Sequence, residues 1–278
     1  MRRLLMVLIP FLALACTNPY EEARKLDTID AYDSFLKENP NSSFVAAANT
    51  RLEQLFIDRA NTSGSLEDWD AYMARFPQGQ LLKEAEEGRM LAYYLTAENT
   101  DTVEIWQEYI KACDAYKKCS GSHKKAAPKR LKVAQNKANF EVGPLELKQV
   151  NLAEQVDGPL DGWGFYADVT NKGTAPIERM IMRVRYLNLD GKEIDRDDYP
   201  VVSKKLPGNM PMAPGFDKPI GPGEVRRWEW TTGDMPAEWS KQAKLEVVEI
   251  RLTGDDKKAD DQGPGDKKGE GDEGGSEK

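Results

Sequence analysis

Three pairs of aromatic residues recur along this chain at a spacing of 37 residues, and this repeat constrains the fold more than any other feature. The pairs are Tyr32 with Phe35, Trp69 with Tyr72, and Trp106 with Tyr109. Within a pair the residues are three positions apart, which places both side chains on one face of a helix. A regular repeat of this length is typical of stacked helical hairpins, each burying a face that it could not bury alone.

A second helix is predicted in each repeat. Pro40 and Pro77 end the first two aromatic helices, because proline cannot continue a helix. In the first repeat Ser42 or Ser43 is the expected N-cap of the helix that follows. In the third repeat the second helix is expected over residues 124–138. The sequence therefore predicts three helical hairpins over residues 16–138, as the first folded domain of a multidomain chain.

The run Phe35-Leu36-Lys37-Glu38-Asn39-Pro40 resembles the tetratricopeptide-like (TPR-like) repeats of envelope lipoproteins, including the lipoprotein of the outer-membrane protein assembly machine. The repeat departs from the tetratricopeptide pattern in its period, which is about 34 residues in that family. It also lacks the family's usual Trp–Leu-Gly–Tyr spacing. The resemblance implies an all-α, tetratricopeptide-like shape and does not imply a shared function.

After Asn139 the apolar residues alternate with polar ones, which is typical of β-strands with one buried face. Met180, Met182 and Val184 illustrate the alternation, and Asp190-Gly191 is a strong hairpin signal. About seven short strands separated by Gly and Pro predict an antiparallel β-sandwich over residues 139–253. Residues 254–278 contain almost no apolar side chains and are expected to form a disordered tail.

The β-rich segment also resembles a known type of domain. Its motifs are Val169-Thr-Asn171-Lys-Gly173, then Ile177, Val184, Tyr186, Asp190-Gly191-Lys192 and Gly221-Pro-Gly223-Glu224. They are similar to those of the small immunoglobulin-like (Ig-like) domains at the ends of many bacterial lipoproteins and exported proteins. The resemblance implies an Ig-like β-sandwich and carries no activity with it.

The N-terminus has the pattern of a signal peptide. Arg2 and Arg3 precede an apolar run of eleven residues, 4–14, which is too short to span a bilayer. The stretch Leu12-Ala13-Leu14-Ala15-Cys16 resembles the lipobox of bacterial lipoproteins, although that family prefers leucine where Ala13 stands. The resemblance implies that residues 1–15 are removed and that Cys16 carries diacylglycerol and a further acyl chain such as palmitate. The alternative is an ordinary signal peptide with a chance cysteine.

This resemblance also predicts a location in the cell envelope. Several acyl chains on Cys16 would anchor the protein stably to a membrane. Thr17 follows Cys16, in place of the aspartate that retains many lipoproteins at the inner membrane. In a bacterium with two membranes the resemblance therefore favours the outer membrane, with the folded part in the periplasm or at the surface.

Cys113 and Cys119 form a second cysteine feature, in a polar stretch. Outside the cytoplasm two cysteines this close are expected to form a disulfide. A metal site is the competing interpretation, but it needs two further ligands, and His123 is the only histidine of the chain. We expect a structural disulfide and no bound metal.

The sequence argues against several classes of function. A net charge of −8 disfavours nucleic-acid binding, which requires a basic face. No Gly-x-Ser-x-Gly elbow, Walker loop or His-Glu-x-x-His helix is present. His123 lies among polar residues and is expected to be solvated. Asp190 and Gly191 fit an EF-hand calcium loop only if Tyr186 takes the first ligand position and Glu193 the normally apolar eighth, so a solvated hairpin is the favoured interpretation. We therefore predict no enzymatic activity and no cofactor.

The predicted function is that of a non-enzymatic, lipid-anchored envelope protein that binds or scaffolds a protein or peptide. The candidate binding residues are Trp69, Trp106, Met210 and Met212, although the two tryptophans also suit the core between repeats. Trp228 and Trp230 alternate with charged residues and suit either a core or an exposed aromatic strip. Two other functions stay open: an envelope enzyme or accessory subunit with a site at the domain junction, and a purely structural lipoprotein.

Overall fold

The computed structural model describes residues 18–116, 119–152, 161–204 and 215–255. Four predicted features lie wholly or mostly outside these residues: the predicted signal peptide, Cys16, the methionines Met210 and Met212, and most of the predicted tail. By its contacts the chain divides into two compact units, Met1–Lys124 and Lys125–Lys278, whereas the sequence placed the domain boundary between residues 138 and 139. Within the described residues, no helix combines the length and the apolar character needed to cross a bilayer.

The described residues contain seven α-helices and a short 3-10 turn at Lys137–Asn139. The helices are α1 (Pro19–Leu26), α2 (Ile29–Glu38), α3 (Val45–Ser63), α4 (Leu66–Arg75), α5 (Leu82–Thr100), α6 (Val103–Ala115) and α7 (Gly121–Gln135). The short helices α2, α4 and α6 begin 37 residues apart, and so do the two 19-residue helices α3 and α5. From α1 to α6 each helix packs against the next one along the chain.

The corner before each short helix is built in the same way. Thr28, Ser65 and Thr102 are N-caps, and the side-chain oxygen of each accepts a hydrogen bond from the backbone N–H three residues later. The residue before each cap has a left-handed backbone conformation, with φ of 48° at Asp27, 62° at Gly64 and 47° at Asp101. The repeat is thus present in the backbone and its caps as well as in the aromatic residues.

Aspartate is tolerated in the left-handed conformation at two of these corners because its carboxylate binds a side chain of the core. Asp27 Oδ1 accepts a hydrogen bond from Tyr32 Oη at 3.3 Å, and Asp101 Oδ1 accepts one from Trp106 Nε1 at 3.0 Å. A left-handed non-glycine residue costs on the order of 1 kcal/mol, and a hydrogen bond to a charged group offsets a cost of that size.

We call the first unit, Met1–Lys124, the helical unit. Its core lies between successive helices. It contains the aromatic pairs together with small residues of the long helices, such as Ala48 and Ala85, which are completely buried. Gly88 of α5 is part of this packing, since a Cβ placed there would lie 2.3 Å from the Trp69 ring. Small residues on the long helices therefore provide the space that the aromatic rings occupy.

The second unit contains seven strands within the described residues. They are β1 (Phe140–Val142), β2 (Glu146–Asn151), β3 (Asp161–Asn171), β4 (Ile177–Leu187), β5 (Glu193–Val202), β6 (Val225–Thr232) and β7 (Gln242–Leu252). They form two antiparallel sheets. In one, β3 pairs with β1 and β2 along one edge and with β6 along the other; in the second, β4 lies between β5 and β7.

The predicted fold class, an all-α TPR-like domain followed by an Ig-like β-sandwich, is therefore wrong. Helices come first and strands follow, but the strands are not arranged as in an Ig domain. In an Ig domain the first and second strands lie in one sheet, and the third and sixth strands pair in the other. The seventh strand belongs to the same sheet as the third and the sixth. Here the third strand pairs with the first, second and sixth, and the seventh pairs with the fourth. One hydrophobic cluster contains residues of both sheets, including Phe165, Met182 and Trp228.

The C-terminal half of α7 belongs to the second unit, where ion pairs and a hydrogen bond join it to β7. Arg130 is 1% exposed, donates to the backbone oxygen of Val247 at 3.1 Å and pairs with Glu246. Lys129 pairs with Glu249 at 2.8 Å. A buried guanidinium needs such partners, because an unpaired charge away from water is costly.

Candidate functional site

Two residues predicted to form a binding surface lie in the core. Trp69 is 3% exposed and Trp106 is completely buried, so neither side chain is available to a partner. The period of 37 residues explains this correction, because it turns the same face of each short helix towards its neighbours. The other two predicted binding residues, Met210 and Met212, lie outside the described residues.

The two cysteines that follow the third aromatic pair are joined. Cys113 near the end of α6 and Cys119 in the following turn form a disulfide, with their Cα atoms 5.3 Å apart. His123 is half-buried and lies against Tyr94, with the two ring centroids 4.2 Å apart, so it is not the freely solvated residue that was predicted. Within the described residues, no cluster of three or more His, Cys, Asp or Glu side chains could hold a metal ion.

A groove of about 360 Å³ lies beside this disulfide, between α5, α6 and the start of α7. We call it the α5–α6 groove. Most of its lining residues are apolar, aromatic or sulfur-containing: Met90, Leu91, Tyr109, Tyr116, Cys119 and His123. The other two are Glu87 and Ser120. Burial raises the pKa of the Tyr109 phenol, so this hydroxyl is neutral at physiological pH. The groove thus offers a thioether, a disulfide and aromatic rings, which are surfaces that accept an apolar side chain.

The corresponding place in the second repeat is filled. Glu53 is 7% exposed there and accepts hydrogen bonds from Tyr72 Oη at 2.7 Å and from the backbone N–H of Leu81 at 2.9 Å. Gly79 packs so closely that a Cβ on it would lie 2.3 Å from Glu53 Oε1. Burial, and then the hydrogen bond with Glu53, raise the pKa of Tyr72. The second repeat therefore has a buried hydrogen-bond network at this place.

In the third repeat different residues occupy these positions. Met90 stands 37 residues after Glu53, and Tyr116 stands 37 residues after Gly79. A thioether accepts hydrogen bonds only weakly, and tyrosine cannot fit where glycine makes a close contact. Tyr109 Oη, the counterpart of Tyr72 Oη, instead lies 4.0 Å from Cys119 Sγ. The α5–α6 groove therefore occupies the place where the second repeat buries a carboxylate.

An exposed apolar strip continues from this groove along α5. Leu91 is 46% exposed and Leu95 is 42% exposed, and they lie one turn apart on the same helix face. Leu91 and Leu95 were not predicted as binding residues, because they lie outside the apolar stripe that builds the core. Leucines at helical spacing that fall outside that stripe are the signal that could have identified them.

The acidic hairpin of the second unit is engaged by its own neighbours. Asp198 Oδ1 accepts from Arg183 Nε at 2.7 Å, and Glu193 pairs with Arg185 at 2.6 Å. Asp197 Oδ2 accepts hydrogen bonds from Tyr186 at 3.2 Å and Tyr199 at 3.0 Å. These carboxylates are bound to arginines and phenols, so their arrangement is that of a paired surface and not of a cation site.

The alternating tryptophans of β6 both pack on the core of the second unit. Trp228 is completely buried, and the ring of Trp230 stacks on Tyr199 with centroids 4.1 Å apart. Burial raises the pKa of Tyr199 to about 12, and the carboxylate of Asp197 contributes to the shift. Trp228 is therefore a core residue, and the partly buried Trp230 packs against the same core, so the two do not form an exposed aromatic strip.

Comparison with known proteins gives little that bears on the site. No protein-family model matches the sequence, and no curated protein matches it. Among solved structures, the alkylpurine DNA glycosylase AlkC of Pseudomonas fluorescens, bound to DNA with an abasic site analog, is 10% identical over 81% of this chain, with a TM-score of 0.24. This chain spans 51% of that glycosylase chain.

A second similar structure is that of the ApaA protein of Bordetella pertussis. It is 10% identical, covers 41% of this chain and 92% of its own, and has a TM-score of 0.20. Both TM-scores are too low for either likeness to carry an argument about fold or function.

Proposed function

We propose that this protein is a non-enzymatic, lipid-anchored component of the bacterial cell envelope whose helical unit binds a protein or peptide partner. The observation that carries the proposal is the α5–α6 groove, which lies where the preceding repeat buries a carboxylate. A buried hydrogen-bond network contributes to stability, so a repeat that has an open apolar groove in its place gives up that contribution. Recognition is the function that such a surface serves.

The size and lining of the groove indicate the kind of ligand. A volume of about 360 Å³ is near the lower end of ligand pockets, so we expect it to accept one or two apolar side chains. Leu91 and Leu95 extend the contact along α5 and would pack against a longer segment of the partner. This combination suits a protein or peptide better than a small molecule, because half-exposed leucines contribute most when a broad partner surface covers them.

The proposed attachment to the membrane rests on the sequence. The lipobox-like stretch ends at Cys16, two residues before Asn18, where the described part of the helical unit begins. A lipid on Cys16 would therefore hold the helical unit close to the bilayer. We expect palmitate labelling of the wild-type protein and none of Cys16→Ala. Continued labelling of Cys16→Ala would contradict the anchor and leave the binding proposal standing.

The binding proposal is tested by photocrosslinking in intact cells. A photoreactive amino acid at position 91 or 95 should form one discrete adduct, whose partner mass spectrometry identifies. The matched control is position 189, since Leu189 is 88% exposed and lies in the second unit.

The adduct formed from position 95 should disappear in Leu91→Asp, a change at a half-exposed position that leaves the helical circular dichroism signal unchanged. Equal adduct patterns from positions 91, 95 and 189 would contradict a specific site on α5.

A further inference from the structure

A second groove lies at the other end of the helical unit, between α1 and α2, and encloses about 380 Å³. We call it the N-terminal groove. Ala23 and Phe35, each 4% exposed, line it together with Leu26, which is 68% exposed. Leu26 is the most exposed of the large apolar residues described in the helical unit. Single exposed leucines are common on protein surfaces, so it is the groove beside Leu26, and not its exposure alone, that marks a surface that a further element can cover.

The carboxylates from the start of α1 to the end of α2 fall into two groups. Three are paired with arginines: Glu21 with Arg24, Asp27 with Arg51 and Asp33 with Arg75. The other three, Glu22, Asp30 and Glu38, all line the N-terminal groove and are exposed. Among the residues that the structure describes, no cationic side chain lies within salt-bridge distance of these three, and none lines the groove. The carboxylates of this segment that are left without an ion-pair partner thus all lie around one groove.

The next repeat shows what kind of element fits such a place. In each repeat a helix that ends at the left-handed corner packs against the following short helix: α1 on α2, α3 on α4 and α5 on α6. The helices α3 and α5 have 19 residues, whereas α1 has eight. In the second repeat an earlier turn of α3 places Glu53 against Tyr72, the counterpart of Phe35. A helix therefore covers, in the second repeat, the face that lines the N-terminal groove in the first.

We propose that the N-terminal groove docks a cationic amphipathic helix of a partner protein, with its apolar face on Leu26 and Phe35 and its basic residues facing Glu22, Asp30 and Glu38. Charge complementarity selects this occupant over segments of the chain itself. Residues 8–18 correspond in the repeat to the first turns of α3, and they carry no charge. Residues 256–278 carry five lysines but eight acidic residues.

The N-terminal groove shares no residue with the α5–α6 groove. A result that contradicts one of the two proposals therefore leaves the other unaffected. The test measures binding to the purified full chain by fluorescence anisotropy. The probe is a labelled peptide with leucine and lysine at amphipathic helical spacing, and the comparison peptide has glutamate in place of lysine. We expect the lysine peptide to bind and the glutamate peptide not to bind. Added salt should weaken the binding, because the three carboxylates are exposed to solvent.

Three sets of variants decide where the peptide binds. Combining Glu22→Gln, Asp30→Asn and Glu38→Gln should weaken binding about tenfold, as expected for three exposed ion pairs. Ser34→Trp should abolish binding by filling the groove, in which Ser34 is an exposed lining residue. The control combines Glu67→Gln, Glu104→Gln and Glu229→Gln, which make the same change in net charge at exposed positions. Two of these positions, 67 and 104, follow Asp30 at the repeat spacing.

Several outcomes would overturn the proposal. One is equal weakening by the two triple variants, since binding would then follow net charge and not the groove. Another is failure of the lysine peptide to bind the full chain. A third is a dimer in sedimentation that dissociates in Ser34→Trp, because a second copy of the chain would then be the occupant.

Discussion

The second and third repeats of the helical unit share a corner, a cap and a pair of buried aromatic residues, but they differ in what covers the second aromatic ring. In the second repeat Glu53 binds Tyr72 and closes the surface. In the third repeat Met90 takes the position of Glu53, and a groove lies beside Tyr109. The corner and the aromatic pair are therefore common to both repeats, whereas the residue that covers the second ring differs between them.

The largest expected effect tests whether the buried tryptophans of the two repeats contribute equally to stability. Trp69→Ala and Trp106→Ala should each destabilise the helical unit by about 3–5 kcal/mol, because each removes a buried indole and leaves a cavity. Urea unfolding followed by helical circular dichroism measures both. A loss below about 1 kcal/mol for Trp106→Ala alone would mean that the third repeat is not packed like the second.

The next test converts the second repeat towards the third. Glu53→Met leaves Tyr72 Oη and the N–H of Leu81 without their acceptor, which should cost about 1–3 kcal/mol. In a Tyr72→Phe background the same change should cost less, because one of the two donors is already absent. Comparing the four proteins gives the coupling energy of the pair. A coupling energy of zero would show that the hydrogen bond between Tyr72 and Glu53 does not stabilise this repeat.

A smaller effect is expected at Gly88, where two effects oppose each other. Alanine improves helix propensity by about 1 kcal/mol over glycine, but its Cβ would overlap the buried Trp69 ring, and overpacking costs about 1–3 kcal/mol. Gly88→Ala should therefore destabilise by roughly 1 kcal/mol in thermal or urea unfolding. In a Trp69→Leu background, which provides space, the same substitution should stabilise. Stabilisation by Gly88→Ala alone would contradict the close contact.

The smallest effect is a pH dependence that comes from Asp68 of the second repeat. The hydrogen bond from Ser63 Oγ, 2.6 Å long, is the main cause of the lowered pKa of Asp68, and Arg59 at 2.8 Å adds to it. Because the pKa is lower in the folded state, the stabilisation is complete above the unfolded value of about 3.9 and is lost as pH falls through the folded value. Asp68→Asn should cost less than about 1 kcal/mol at pH 7, and this cost should shrink as the pH falls through the folded value.

The helices of the helical unit could be predicted in outline, because the signals for each helix lie within a short stretch of sequence. The aromatic pairs and prolines predict α2 and α4, and helical spacing predicts the helices that follow. The expected N-cap of α3 is wrong in detail: α3 begins at Val45, and Ser42 Oγ instead accepts from the N–H of Phe44 at 3.2 Å, in the turn before the helix. Hydroxyl side chains favour such turns as readily as caps, so the sequence does not distinguish them.

The strand partners could not be predicted in the same way. Alternation shows which face of β3 is buried, but it does not show that Ala167 pairs with Trp228, about 60 residues later in the chain. The α5–α6 groove escaped prediction for a related reason. Met90 looks like an ordinary core residue until it is compared with Glu53 at the same position of the preceding repeat.

The packing of each helix against its neighbour in the chain has a consequence for the rate of folding. Contacts between adjacent helices close short loops, and chains dominated by such contacts fold in microseconds to milliseconds. The strands of the second unit pair across long separations, as β3 does with β6 and β4 with β7, and pairings of this kind form more slowly. After dilution from denaturant, helical circular dichroism should therefore recover before the tryptophan fluorescence of the second unit.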